Sequence, residues 1–316
     1  MHRAELPSEL PDAFLTHTAR DLGVTPGRLR ASDLDYPFRG VAVRRETLTA
    51  DAPEAKHVRM AQIYALRMRA GEFFSHLTAA LLWGLPLPRH TTHALDRLDV
   101  AVHAPERSSR GRGVRPHETR QSLVSVVTHP LTGLRVSSPA STWASLAPMI
   151  PHPYDLVAIG DAVVRTPRRP GDRPALATLD QLALAMNAGR RLGIAQLRAA
   201  FPRIRTDAWS HRETWTRLVL VDAGLAEPRC NLEVHDKRGV FLATIDLCYP
   251  DLMIAIEYEG LQHLLDRRQW LHDIGRYERL VAAGWIVIRV TNDQLFGDPA
   301  ALIRRVRAAI ASRVDA

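Results

Sequence analysis

The sequence predicts an α/β protein in three parts: a helix-turn-helix with a small hairpin wing, a middle α+β region, and a C-terminal mixed sheet flanked by helices. Capped short helices followed by period-two alternation fill residues 1–57, and strand-like runs alternate with capped helices through 58–165. From about Ser210 the chain reads helix, strand hairpin, third strand, helix, strand, helix. A chain of 316 residues exceeds what one hydrophobic core ordinarily serves, about 100 to 200 residues, so separate domains are expected. The composition shifts place them at 1–57, 58–165 and 207–316, with a helical linker over 166–206 that opens on the Pro/Arg-rich stretch RTPRRPGDRPA.

The first part opens with FLTHTARDLGVTPGRLRASD, a helix over about Thr16–Leu22, a turn at Gly23, and a second helix capped by Thr25 with Pro26 at its first position. YPFRGVAVRRETL then alternates around Arg39 and Gly40 as a small wing would. Arg28 and Arg30 on the second helix, with Arg39 in the wing, are the candidate DNA-binding residues. In the middle part Ser75 caps and Gly84 ends a helix in SHLTAALLWGLPLP, LDVAVHAP and GLRVSSP read as strands, and ERSSRGRGVRPHETR between them reads as a solvated loop, or as one that touches phosphates. Thr178 caps a helix ended by Gly189, and RLGIAQLRAAF is a second.

Formal charge is +8 and almost wholly arginine, since Lys56 and Lys237 are the only lysines. Arginine forks fit phosphates and guanine edges, but a GC-rich genome gives the same bias, so motifs must decide whether the partner is nucleic acid. Cys230 and Cys248 are too few for a disulfide framework or a zinc site. No run reaches the ~18 uncharged apolar residues of a membrane span, and the first residues lack a signal peptide's apolar centre. A cytoplasmic protein without a membrane partner is expected.

The chemistry sits near the C-terminus. Asp246 lies on one strand of a hairpin, and DLMIAIEYEG places Glu257 and Glu259 two apart on the next, sharing a face while Ile254, Ile256 and Tyr258 take the other. Carboxylates on adjacent strand ends repel one another unless a cation joins them, and Mg²⁺ (or Mn²⁺) with hard oxygen ligands would serve phosphodiester hydrolysis.

Asp246, ten intervening residues, then Glu257-x-Glu259 resembles the PD-(D/E)XK nucleases. The run SHRETWTRLVLVDAGLAEP, IDLCYP, IEYEGLQH, WLHDIGRYERLVAAG and WIVIRV, over about 207–296, resembles the branch related to very-short-patch-repair endonucleases. The resemblance implies a restriction-endonuclease-like sheet, and a metal held by Asp246, Glu257 and Glu213. It also implies a water-orienting or proton-donating His263. Glu213 has a second reading, as the last residue of the capping box Ser210-x-x-Glu213. The family's usual lysine is here Glu259, which leaves the strand without a cation to orient water. Asp273 and Arg276, three apart on a helix, are an ion pair, or Arg276 is a phosphate ligand.

HTARDLGVTPGRLR, RGVAV, SHLTAALLWGLPLP and RVSSPASTWASLA, over about 12–165, resemble AbiEi-type antitoxins of type IV toxin–antitoxin systems. That resemblance implies a DNA-binding winged helix over 12–45 and a cognate toxin protein as partner. Three functions stand: a metal-dependent DNA endonuclease or nickase, a non-enzymatic antitoxin or repressor with a degenerate nuclease fold, and an RNA-cleaving relative of the first.

Overall fold

The computed structural model describes residues 4–49, 52–259 and 267–314, with side chains described for all of these but 267–274. The described residues form a mixed α/β protein with three sheets. The chain divides into two compact units: Met1–Ile159 with Leu176–Pro202, and Gly160–Ala175 with Arg203–Ala316. The 166–206 stretch is thus shared, its first residues folding with the second unit and its two helices with the first.

Unit 1 begins with β1 (Ala13–Leu15), α1 (Thr16–Asp21), α2 (Pro26–Leu29), β2 (Leu34–Phe38) and β3 (Val41–Arg44), whose strands form an antiparallel sheet in the order β1-β3-β2. Gly23 at φ 82 lets the chain turn out of α1, and Thr25 caps α2 by accepting the Arg28 N–H at 3.2 Å with Pro26 at the first position. Phe14, Ala19, Val24, Leu29 and Leu34 close a small core between the helices and the sheet.

Next come α3 (Pro53–Ala65), β4 (Phe73–Phe74), α4 (His76–Leu82), β5 (Leu98–His103), β6 (Val114–Thr119), β7 (Val126–Thr128), β8 (Arg135–Ser137) and α5 (Pro139–Leu146). After α6 (Pro153–Val164), α7 (Leu179–Asn187) and α8 (Ile194–Ala200) return to this unit. The strands make a five-stranded sheet, β6-β5-β4-β8-β7, with β5/β6 and β4/β8 parallel.

Two expectations fail here for one physical reason, the buried Asp99. Ser75 does not cap α4: its side chain makes no cap hydrogen bond, His76 adopts φ 46, and the Leu77 N–H is taken by Asp99 from β5 at 3.2 Å. The second half of the expected loop ERSSRGRGVRPHETR is β6, because Arg115 and His117 turn inward to Asp99, at 3.0 and 2.8 Å. His76 stacks on His117 at 3.9 Å. Asp99→Ala takes the buried acceptor from the Leu77 N–H, Arg115 Nη1 and His117, although Arg115 Nη2 keeps the Ala94 carbonyl, and should lower the stability of unit 1 by about 3 to 5 kcal/mol. Asp99→Asn, which keeps acceptor oxygens, should cost less; equal denaturation midpoints for wild type and Asp99→Ala would refute this role.

Unit 2 holds α9 (His211–Asp222), β9 (Arg229–His235), β10 (Phe241–Tyr249), β11 (Ile254–Tyr258), α10 (Arg267–Ala282), β12 (Ile286–Val290), α11 (Asn292–Phe296) and α12 (Pro299–Val314). Its sheet runs β12-β11-β10-β9, with β9, β10 and β11 antiparallel in sequence and β12 returning parallel to β11 after α10. WIVIRV is therefore a sheet strand, with Ile288 and Val290 buried. Leu220 of α9 and Leu302 and Val306 of α12 pack with Ile254, Ile256 and Ile288 in one core cluster. Leu280 of α10 packs with Ala243, Ile245 and Ala255 in another. Asp246 and Glu257 lie on its two central strands, β10 and β11, so their carboxyl groups are held inside the sheet's own layers.

Candidate functional site

Glu213 enters the site from the first turn of α9. Ser210 caps that helix by accepting the Glu213 N–H at 3.1 Å, and the buried Glu213 carboxylate accepts the Trp209 N–H at 2.8 Å and the Asn231 side-chain amide. Asn231 sits in β9 at φ 49, between Cys230 and Leu232, whose partners across the ladder are Leu247 and Ile245. Asn231 thus stands level with Asp246.

On the other side of Asp246 the β10–β11 ladder runs through Leu247↔Ile256, so Glu257 follows next in register. Here the Asp246 carboxylate accepts the Tyr258 N–H at 3.0 Å. Glu257 is 1% exposed; Oε2 accepts from Arg276 Nη2 at 3.0 Å, while Oε1 is buried with no hydrogen-bond partner among the described residues. Burial, then the Asp246 charge, push the Glu257 carboxyl up to about 8, against the pull of Arg276. Burial and Asp246 likewise push Glu213 up to about 7. Three carboxylates from α9, β10 and β11 therefore lie within electrostatic reach of one another. Among the described residues no three His, Cys, Asp or Glu side chains converge closely enough to hold an ion as they stand.

Glu257 and Glu259 share a face, as the alternation predicts, and each is paired there with an arginine from a neighbouring element. Arg276 of α10 pairs with Glu257, and Arg289 of β12, which is level with Glu257 in the parallel ladder, pairs with Glu259. Tyr277 lies between them: each guanidinium is 5.2 Å from its ring centroid, and its hydroxyl donates to Glu259 at 3.4 Å. Like charges on the strand are balanced by arginines from neighbouring elements, which a strand-by-strand reading does not see. Asn231, Tyr277 and Arg289 were missed; the alternation of WIVIRV, with Arg289 its one charge, was the available signal. His263 lies outside the described residues, as does the side chain of Asp273.

In unit 1 Arg28 is 8% exposed and clamped to Asp33 by two hydrogen bonds of 3.0 and 2.8 Å, with Nε on the Ala4 carbonyl at 2.5 Å. Its guanidinium ties the segment before β1 to α2 and is not presented to a ligand. Arg30, at the end of α2, and Arg39, in the β2–β3 turn, are exposed.

No protein-family profile matches the chain, and no solved structure matches it. Two relatives from Mycobacterium tuberculosis strains CDC 1551/Oshkosh and ATCC 25618/H37Rv, named uncharacterized proteins MT2308 and Rv2248, are each 28% identical over 229 residues. The likeness covers 72% of this chain and 78% of the relative, a span longer than either compact unit, so it takes in parts of both. Among the described residues no helix is long and apolar enough to cross a membrane.

Proposed function

We propose that unit 2 is a restriction-endonuclease-like, PD-(D/E)XK-type domain that hydrolyses DNA phosphodiester bonds, and that residues 1–57 are a winged helix-turn-helix that brings the chain to duplex DNA. The observation that carries the reading is Glu257 Oε1. A buried carboxyl oxygen to which no described residue donates, pushed toward its protonated form beside two further carboxylates, is a place where a cation would take over from the proton. Asp246, Glu257 and Glu213 would hold Mg²⁺ or Mn²⁺, which supplies a bound water of lowered pKa and charge neutralisation at the leaving oxygen. The chain's own residues do the rest. Tyr258 N–H fixes Asp246, Asn231 and Trp209 N–H fix Glu213, and Arg276 holds one oxygen of Glu257 from beside the site, where a guanidinium also suits a phosphate. Arg289 neutralises Glu259, so the acidic residue at the motif's lysine position adds no net repulsion toward a phosphate.

A second reading is favoured by the same arginines: with Glu257 and Glu259 each already paired, unit 2 balances those charges without an ion, as a non-enzymatic repressor or antitoxin with a cognate toxin would. The experiment that separates them is a cleavage assay with Mg²⁺ or Mn²⁺ on plasmid, linear duplex, single-stranded DNA and RNA. Cleavage of DNA supports the nuclease, cleavage of RNA alone changes the substrate, and no cleavage of any substrate leaves the repressor.

The N-terminal assignment is tested by salt-dependent DNA binding of the full chain. Arg30→Ala and Arg39→Ala should each flatten log K against log salt by about 0.9, one phosphate contact apiece. Arg28→Ala should instead lower thermal stability by about 1 to 3 kcal/mol through the lost Asp33 pair, with the salt slope unchanged. If Arg28 and Arg30 exchange these phenotypes, the docking face has been placed on the wrong side of α2.

A further inference from the structure

The stretch from Arg165 to Arg173 carries four arginines against one aspartate, and its composition reads as a linker. It is instead built onto unit 2. The Thr166 N–H donates to the Thr206 carbonyl at 2.8 Å, and Asp172 Oδ2 gathers the N–H groups of Arg168 and Arg169 at 2.9 and 2.8 Å, folding the loop around its own carboxylate. Arg165 and Arg168 both lie over the Trp209 indole, 4.9 and 5.3 Å from the ring centroid, and Arg165 Nη1 also donates to the Trp209 carbonyl at 3.2 Å. Arg168 Nη1 donates to Asn231 Oδ1 at 2.7 Å, and the Asn231 amide donates to Glu213. One hydrogen-bonded relay thus joins this loop to the carboxylate cluster, and Trp209 belongs to both, since its backbone N–H donates to Glu213.

Two guanidiniums on one indole repel each other, and nothing in a spacer requires them to be gathered there. A polyanion does. A phosphate brought to Glu213, Asp246 and Glu257 would meet the Asp246 charge and, once they ionise, those of the two glutamates; that repulsion would be offset by fixed positive charge close by. The loop supplies it at the rim, with Arg169 and Arg173 exposed and Arg168 half-buried against the relay. We infer that the Arg165–Arg173 loop is a phosphate-backbone clamp that seats duplex DNA beside the carboxylate cluster of unit 2. This rests on the reading that unit 2 acts on DNA, and it assigns the loop a partner and Asn231 a positioning role between clamp and carboxylates.

The test uses the full chain carrying Arg30→Ala and Arg39→Ala, which silences the N-terminal contacts, in EDTA so that no strand is cut. Binding of a fluorescent duplex of about 25 bp is followed by anisotropy from roughly 50 to 200 mM NaCl. Adding Arg169→Ala and Arg173→Ala should reduce the salt slope by about 1.8, two phosphate contacts at about 0.9 each, with the melting temperature unchanged because both side chains are exposed. The lysine pair Arg169→Lys and Arg173→Lys should restore most of the slope. An unchanged slope, no salt-dependent binding in the starting background, or a slope that falls only with the melting temperature and is not restored by lysine, each overturns the clamp. The slope is read without metal or turnover, so absent cleavage sinks the nuclease reading while leaving this result to stand or fall separately.

Discussion

Asp246→Asn is expected to reduce Mg²⁺-dependent DNA cleavage by about 10³-fold or more while unit 2 keeps its fold. Metal-assisted charge stabilisation contributes several kcal/mol to such a reaction, and each ~1.4 kcal/mol is tenfold in rate. Asparagine keeps an acceptor for the Tyr258 N–H and removes the charge that Glu213 and Glu257 both sense. Asp246→Ala also strands that N–H, so it should lose stability as well as rate. If Asp246→Asn cleaves like wild type, the cluster is not where the chemistry happens. A further contrast addresses the motif position: Glu259→Lys alone puts a second cation beside Arg289 and should destabilise, whereas Glu259→Lys with Arg289→Glu keeps the pair and presents the cation from β11. Activity that rises only in the double variant would identify Glu259 as the residue limiting catalysis.

The sequence was informative where local rules decide the outcome. Thr25, Pro26, Ser210, Thr178 and Pro299 start helices where capping chemistry puts them, and the alternation of IEYE sets Glu257 on the face it occupies. It was silent where a side chain answers to a distant element. Asp99 replaces Ser75 at the start of α4 and draws β6 out of an expected loop, because a buried carboxylate recruits donors wherever the chain passes. Arg28 sits on the expected recognition helix yet pairs with Asp33, while Arg276 and Arg289 reach glutamates 19 and 30 residues away. Arg165–Arg173 has the composition of a spacer, and only the contacts with Trp209 and Asn231 reveal a built loop. Periodicity and caps fix elements; which charges meet depends on sheet order and helix layering, which neither encodes.

The metal-free protein should lose stability in unit 2 as pH rises from about 4.5 to about 8, and Glu257→Gln should remove most of that loss. The folded-state carboxyl of Glu257 sits at about 8, against an ordinary value of 4.5. Below pH 4.5 both folded and unfolded chains carry the proton and the group contributes no difference. Between the two values the unfolded chain releases its proton while the folded chain holds it, so each pH unit costs the fold about 1.4 kcal/mol. The accumulated penalty is roughly 3 to 5 kcal/mol above pH 8, where it levels off. Glu213, raised in the same direction to about 7, adds to it. Hydrogen exchange of the β10 and β11 amides at pH 5 and pH 8.5 reads unit 2 alone, and comparison of wild type with Glu257→Gln cancels the rest of the chain's titration. Glutamine still offers Arg276 an oxygen, so the variant should be close to wild type at pH 5 and more protected at pH 8.5. Millimolar Mg²⁺ or Mn²⁺ should then reverse the order at pH 8.5, because an ion that binds only the folded wild type adds stability that the variant cannot gain. Parallel pH profiles for the two proteins would mean that Glu257 ionises in the fold as freely as in the unfolded chain; metal-free profiles that diverge as described, with no response to either ion, would leave the Arg276–Glu257 pair as a structural contact and favour the repressor.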